Sequence, residues 1–176
     1  MNRVTIPLFN AAYQFKILRQ NGAVLPLPEI LFPLAGMGFY FRLYGNGLLE
    51  HQVLVPHDRW SAYWPKVAGL LSAYGVHPVV SSLKLFAGPR KGISFAGDGV
   101  SLTINLVNDR RGREFLEALD LLDCDTGGVA NPIKDSRLGR QAFSHQAPML
   151  TQFMEQRAAL DPIGQFRSCL SERLGL

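Results

Sequence analysis

The spacing of apolar residues changes along the chain, and each change predicts an element. Leu48-Leu49-Glu50-His51-Gln52-Val53-Leu54-Val55 is rich in β-formers and ends at Pro56, which predicts a strand. Residues 79–86 and 100–107 predict two more strands, and 93–95 a short one. Over 58–72 the apolar positions shift to helical spacing, with Trp60, Trp64, Val67, Leu70 and Leu71 inward, Asp58 as the cap and Tyr74-Gly75 as the stop. Residues 112–122 repeat that pattern through Phe115, Leu116, Leu119 and Leu122. A rough helical stripe covers 4–15, although Pro7 is awkward there. The Pro-, Gly- and aromatic-rich stretch 22–44 reads as an extended crossing that leads into a Gly45-Asn46-Gly47 turn. Beyond Gly127-Gly128 the pattern changes to a short extended piece at 129–133, then a helix over 144–159 ended by Asp161-Pro162. Strand, helix, strand, hairpin, strand, helix predicts an α+β fold: an antiparallel or mixed β-sheet flanked by helices, with a C-terminal helical tail.

Side chains of a strand alternate between two faces, so the strands also sort the polar residues. Leu49, His51, Val53 and Val55 share one face of the first strand, opposite Glu50, Gln52 and Leu54. Leu102, Ile104 and Leu106 oppose Ser101, Thr103 and Asn105, and Lys84 and Phe86 oppose Leu83 and Leu85. A sheet covered by helices on its apolar face would present Gln52, Lys84, Phe86, Ser101, Thr103 and Asn105 together on the other. Such a surface is either an ordinary half-solvated sheet or the wall of a polar pocket. Amides, short hydroxyls, one lysine and one aromatic suit a polyhydroxylated ligand. His51 points the opposite way and reads as a packed core histidine in preference to a catalytic base.

Composition narrows the function classes. With 47% hydrophobic residues in 176, the chain can build a sizeable core, but only 18% are charged, below the usual ~25%, a hint that some surface is covered by a partner. The net charge of +4 comes from scattered Lys and Arg, not a basic stripe, so no nucleic-acid partner is expected. Cys124 and Cys169 form no CxxC pair and read as reduced, buried thiols. No metal site is expected, because no two histidines share ligand spacing on one element. Apolar runs are too short for a membrane span or a signal peptide, so a cytoplasmic location is expected, with peripheral membrane contact left open. Gly88 to Gly92 follows a strand instead of opening a helix, so it reads as a connecting loop and not as a pyrophosphate cradle.

Several segments together carry a family likeness: Phe32-Pro33-Leu34, Leu43-Tyr44-Gly45, the 49–56 strand with its final Pro56, Leu83-Lys84-Leu85-Phe86-Ala87-Gly88-Pro89, Ser94-Phe95, Lys134-Asp135-Ser136-Arg137, Leu160-Asp161-Pro162-Ile163-Gly164-Gln165-Phe166-Arg167-Ser168 and the closing Arg173-Leu174-Gly175-Leu176. In this order they resemble the C-terminal half of FAD-linked oxidases of the vanillyl-alcohol-oxidase type, especially the decaprenylphosphoryl-ribose oxidase and D-arabinono-1,4-lactone oxidase-like bacterial branches. The resemblance implies a partial substrate-binding (cap) domain over 1–128 and, over 129–176, a segment that packs on the FAD-binding domain. It implies that Lys134 is catalytic and lies beside the flavin, and that Gln52, Lys84, Phe86, Ser101, Thr103, Asn105 and Asn131 contact substrate. Thr103 and Ser101 stand where some members carry cysteine and asparagine, and Asn131 where they carry tyrosine. The implied cofactor is FAD, bound mainly by a domain outside this chain. The implied partner is a separate FAD-binding polypeptide or domain, and the substrate a sugar or polyol oxidised at a CH–OH group. A non-catalytic carbohydrate-binding or regulatory remnant, or a fragment without independent function, is the alternative.

Overall fold

The computed structural model describes residues 4–31, 42, 44, 45 and 47–176. The family-like residues 32–34 and Leu43, the turn residue Asn46 and much of the expected 22–44 crossing lie outside the described residues. At its core is a four-stranded sheet built from β1 (Leu48–Val55), β2 (Val80–Phe86), β3 (Gly99–Val107) and β4 (Val129–Ala130). Its order is β2-β3-β1-β4, and every pairing is antiparallel. Helix α3 (His57–Tyr74) joins β1 to β2, and α4 (Arg110–Thr126) joins β3 to β4. This β1-α3-β2-β3-α4-β4 order is the split βαβ, ferredoxin-like arrangement.

Both helices cross the same face because that face carries the apolar half of the alternation. Leu49, Val53, Val55, Leu102, Ile104 and Leu106 meet Tyr63, Val67, Phe115, Leu116 and Leu119 there, all buried. Asp109 caps α4 by accepting from the Gly112 amide at 2.7 Å, and Gly127 closes it in the left-handed region. Close approach matters once more, at Gly99: a Cβ there would stand 2.4 Å from the Val55 carbonyl oxygen. Gly99→Ala is therefore expected to destabilise the fold by about 1–3 kcal/mol. An unchanged midpoint in urea denaturation would show that the strand edge yields at no cost.

Several expectations need correction. Asp58 is not the cap of α3: the helix begins at His57 behind Pro56 without a side-chain cap, and Asp58 lies in its first turn, where a negative charge suits the helix dipole. Trp64 is exposed and Tyr63 fills the core in its place. Residues 93–95 form no strand; Ile93 instead reaches a second cluster. The tail helix expected over 144–159 is two helices, α5 (Arg140–Gln146) and α6 (Leu150–Leu160), separated where Pro148 lacks an amide hydrogen. Helix α7 (Cys169–Leu174) was too short to leave a periodic signal and is held by a reciprocal Ser168–Ser171 capping box. Within the expected 22–44 crossing, Leu27–Leu31 forms a short helix, α2. Cys124 and Cys169 are exposed, not buried, since both fall on the outer sides of their helices.

Two smaller clusters flank the main core. Ala130, Leu138, Phe143, Ala147 and Leu174 unite β4 with the C-terminal segment. Ile6 of α1 (Thr5–Arg19) packs with Tyr44 and Val79 at the other end of the sheet. Among the described residues, no helix is long and apolar enough to cross a membrane.

Candidate functional site

The register brings the expected polar residues onto one sheet face. Across the β1–β3 ladder Gln52 stands opposite Thr103, Glu50 opposite Asn105 and Leu54 opposite Ser101. Across β2–β3, Lys84 stands opposite Ser101 and Phe86 opposite Gly99. Directly opposed residues project to the same side, so Gln52, Lys84, Phe86, Ser101, Thr103 and Asn105 share the face away from α3 and α4. Gln52 and Ser101 are buried there, Thr103 and Asn105 half-buried, and Lys84 exposed on the outer strand. Phe86 packs edge-on against Phe95 with ring centres 5.6 Å apart.

Asn131 and Lys134 join this face from the segment that follows β4. The Asn131 amide donates to Gln52 Oε1 at 2.7 Å, and Gln52 in turn donates to Ser101 Oγ at 3.3 Å. Lys134 Nζ lies 3.4 Å from Glu50 Oε1, with its side chain about half exposed. The arrangement offers hydroxyl and amide groups that both donate and accept, with an accessible cation at the margin. Lys84 lies on β2 and Asn131 follows β4, the two outer strands, so the sheet order sets them at opposite margins of this face.

On the opposite face of β1, a second polar cluster sits inside the core. His51 is fully buried: its Nδ1 donates to Asp135 Oδ2 at 2.9 Å and its Nε2 to Asp123 Oδ2 at 2.8 Å. Tyr63 donates to the other oxygen of Asp123 at 2.7 Å. Arg137 bridges Asp135 at 2.7 Å and Asp120 at 3.2 Å. Arg173 closes the group from behind by donating to the carbonyls of Asp135, Leu138 and Pro132.

Burial alone would depress the imidazole, but the charges of Asp123 and Asp135 and their hydrogen bonds outweigh it and push His51 up to about 10. It is therefore an imidazolium near neutral pH, which leaves it no free lone pair for base catalysis. Burial, then the Asp123 charge, raises the Tyr63 hydroxyl far above its ordinary range. Burial also raises Asp120. For Asp135 burial acts upward, yet the bond to His51 and the charges of His51 and Arg137 hold it below the usual carboxylate range.

His51, Asp120 and Asp123 stand close enough to share a cation. Both imidazole nitrogens are already bonded to carboxylates, however, and Arg137 spans the remaining acids, so side chains supply the positive charge the cluster needs. The reading of His51 as a packed histidine missed the partners. Its signal was a pair of ionisable residues on inward stripes: His51 between Leu49 and Val53, and Asp123 one helical turn after Leu119.

No family model matches the chain. Among curated proteins it is 27% identical over 152 residues to the decaprenylphosphoryl-β-D-ribose oxidase of Mycolicibacterium smegmatis, covering 85% of this chain and 33% of that protein. It is 32% identical over 130 residues to a Streptomyces coelicolor protein described only as an uncharacterized protein in the mprA 5′ region, covering 73% of this chain and 32% of that one. The chain thus spans about a third of the length of the curated relatives it matches. It is a distant homologue, at low identity, of FAD-linked oxidases such as the decaprenylphosphoryl-β-D-ribose oxidase.

Proposed function

We propose that this chain is the substrate-binding part of an FAD-dependent oxidoreductase that acts on the CH–OH group of a sugar or polyol. In this reading an FAD-binding domain or polypeptide outside these residues completes it. The observation that carries the reading is the linked amide and hydroxyl group Gln52–Ser101–Asn131 with Lys134 at its margin, all on the sheet face that α3 and α4 leave uncovered. The distant homology points to the same chemistry. Residues 1–128 would form part of the substrate domain and 129–176 the segment that meets the FAD-binding part. That second segment carries Leu160, Ile163 and Phe166, each more than 70% exposed, which is an apolar surface suited to a protein partner.

The residues present suit the substrate side of a flavin better than its phosphates. Lys134 is an accessible ammonium beside a polar surface, whereas the glycine-rich loop at 88–92 lies between strands and opens no helix. Lys134 would hold the edge of the flavin ring, and a bound flavin would supply the hydride acceptor. The hydroxyl proton lost in such an oxidation would pass to solvent or to a base of the partner. The Lys134 ammonium would stabilise the oxygen as its negative charge develops. Gln52 and Asn131 each keep further donor or acceptor capacity for vicinal hydroxyls, with Thr103, Asn105 and Lys84 extending the surface and the buried Ser101 backing Gln52. Phe86 would pack against the apolar face of a sugar ring.

One observation favours the alternative of a non-catalytic carbohydrate-binding remnant. Gln52 already spends one donor on Ser101 and one acceptor site on Asn131, so the polar face partly satisfies itself. Purifying the tagged chain from its native cells separates the two readings. The oxidase reading expects a co-purifying FAD-binding polypeptide and yellow absorbance that bleaches with a sugar alcohol; Lys134→Ala should slow that bleaching by roughly 10²-fold. A colourless chain recovered without a partner would sink it.

A further inference from the structure

Three consecutive residues of β1 hold the segment that bears Lys134, and they do so from both sides of the sheet. Glu50 pairs with Lys134, His51 with Asp135, and Gln52 with Asn131. Since alternate residues project to opposite faces, the segment 131–135 straddles the edge of the sheet. Asn131 and Lys134 sit on the polar face, and Asp135 reaches round to the helix face. Backbone bonds fold it tightly: Asn131 N–H donates to the Gln52 carbonyl at 2.7 Å, and the amides of Lys134 and Asp135 both donate to the Asn131 carbonyl at 3.1 Å. The Asp135 carboxylate also accepts from the amides of Arg137 (2.8 Å) and Leu138 (3.2 Å), so fixing that carboxylate fixes the whole turn.

We propose that His51 is a positioning residue for Lys134: by gripping Asp135 inside the core, it pins the 131–138 turn across the sheet edge and sets the ammonium beside Glu50 on the polar face. Packing alone does not call for a histidine here. Its neighbours on the stripe are Leu49, Val53 and Val55, and an aliphatic side chain would avoid the desolvation of an ion. The groups facing it from α4 are Asp120 and Asp123, from α3 Tyr63, and from the turn Asp135 and Arg137, with Arg173 of α7 behind. Among the described residues of this group, only the bond between His51 and Asp135 joins β1 directly to the turn. Without it Asp135 keeps Arg137, whose other partner Asp120 belongs to α4, so the 134–138 half of the turn would follow the helix while Asn131 stays on Gln52, and Lys134 would lose its fixed place beside Glu50. The desolvation of such a cluster offsets much of its attraction, so a role in specifying the turn's conformation fits it better than a gain in stability. The importance of Lys134 for oxidation rests on the functional reading above; the positioning itself does not.

Two arms test it, on His51→Gln and, should that variant fail to fold, on Asp135→Asn. In amide exchange of the whole chain, His51→Gln is expected to speed exchange at Lys134, Asp135, Arg137 and Leu138 by about tenfold or more over any change in the β1–β3 ladder amides of Val53 and Leu102. Tyr63→Phe, which loosens Asp123 alone, should change both sets by the same factor. Equal factors in His51→Gln and in Asp135→Asn would overturn the proposal. In the flavin-containing complex, His51→Gln should lower kcat with little change in KM, and His51→Gln combined with Lys134→Ala should be no slower than Lys134→Ala alone. Additive losses would overturn it as well. A chain with no oxidase activity in any form would sink the functional reading while leaving the exchange arm to decide the positioning.

Discussion

Replacing Asp123 by alanine is expected to destabilise the fold by about 3–5 kcal/mol, the cost typical of breaking a buried pair by removing one partner. Asp123 is fully buried and accepts from both His51 Nε2 and Tyr63 Oη, so the truncation strands a cation on one side and a hydroxyl on the other. It also opens space beside Tyr63, with the further loss that an unfilled cavity brings. The same reasoning predicts a partial recovery. Asp123→Leu combined with His51→Leu should be more stable than Asp123→Leu alone, because removing both charges leaves Asp135 with Arg137 and returns position 51 to the surrounding apolar stripe. Equilibrium denaturation of the two single variants and the double variant measures this. A double variant as unstable as the sum of its singles would mean that His51 and Asp123 do not interact.

The second large effect is a loss of stability as the solution becomes alkaline. His51 has a folded pKa of about 10 against an ordinary 6.5, so the native protein holds a proton that the unfolded chain releases. Its contribution is complete below about pH 6.5 and is lost progressively as the pH rises towards 10, at about 1.4 kcal/mol per pH unit. Tyr63 extends the decline above pH 10, since its hydroxyl stays protonated in the fold after it would ionise in the unfolded chain. Asp135 acts at the other end: held below its ordinary 3.8, it contributes stability above that value and loses it as the pH falls further. Asp120, which is raised, partly offsets Asp135 in the acid range. Denaturation midpoints should therefore be highest in mildly acidic solution and should fall steadily from pH 7 to pH 10. In His51→Gln the slope over that range should flatten. A wild-type midpoint that stays level from pH 7 to pH 10, or a His51→Gln slope equal to wild type, would contradict the account.

Little of the tail clings to the rest of the molecule by packing. Helix α6 buries none of its residues, and the cluster of Ala130, Leu138, Phe143, Ala147 and Leu174 is small. Polar contacts therefore carry much of the link between this segment and the main core: Asp135 with His51, Arg137 with Asp120, Asn131 with Gln52 and the Gln146 carbonyl with Arg90. A partner that covered Leu160, Ile163 and Phe166 would add a second anchor.

The sequence by itself determined the sheet and its two faces. Alternation over 48–55 and 100–107 is a local property, and a period-two pattern has only one way to put Leu102, Ile104 and Leu106 under helices while leaving Ser101, Thr103 and Asn105 on the other side. It also located α4 through its apolar stripe over 112–122, whereas the Asp109 cap and the Gly127 stop that bound it at Arg110–Thr126 emerged only in the structure. The breaks in the tail were harder to read. Pro148 interrupts a stripe that otherwise looks continuous, and a helix as short as α7 spans less than two turns. Only the tertiary structure decided the meaning of His51 and Lys134. The partners of His51 lie 72 and 84 residues away, from a helix and from a turn, and no local pattern encodes which distant carboxylates will meet a buried imidazole. For Lys134, local sequence showed a charged run, Lys134-Asp135-Ser136-Arg137. The fold separates its members, directing Asp135 and Arg137 into the core cluster and leaving Lys134 on the polar face, because the turn crosses the sheet edge between them.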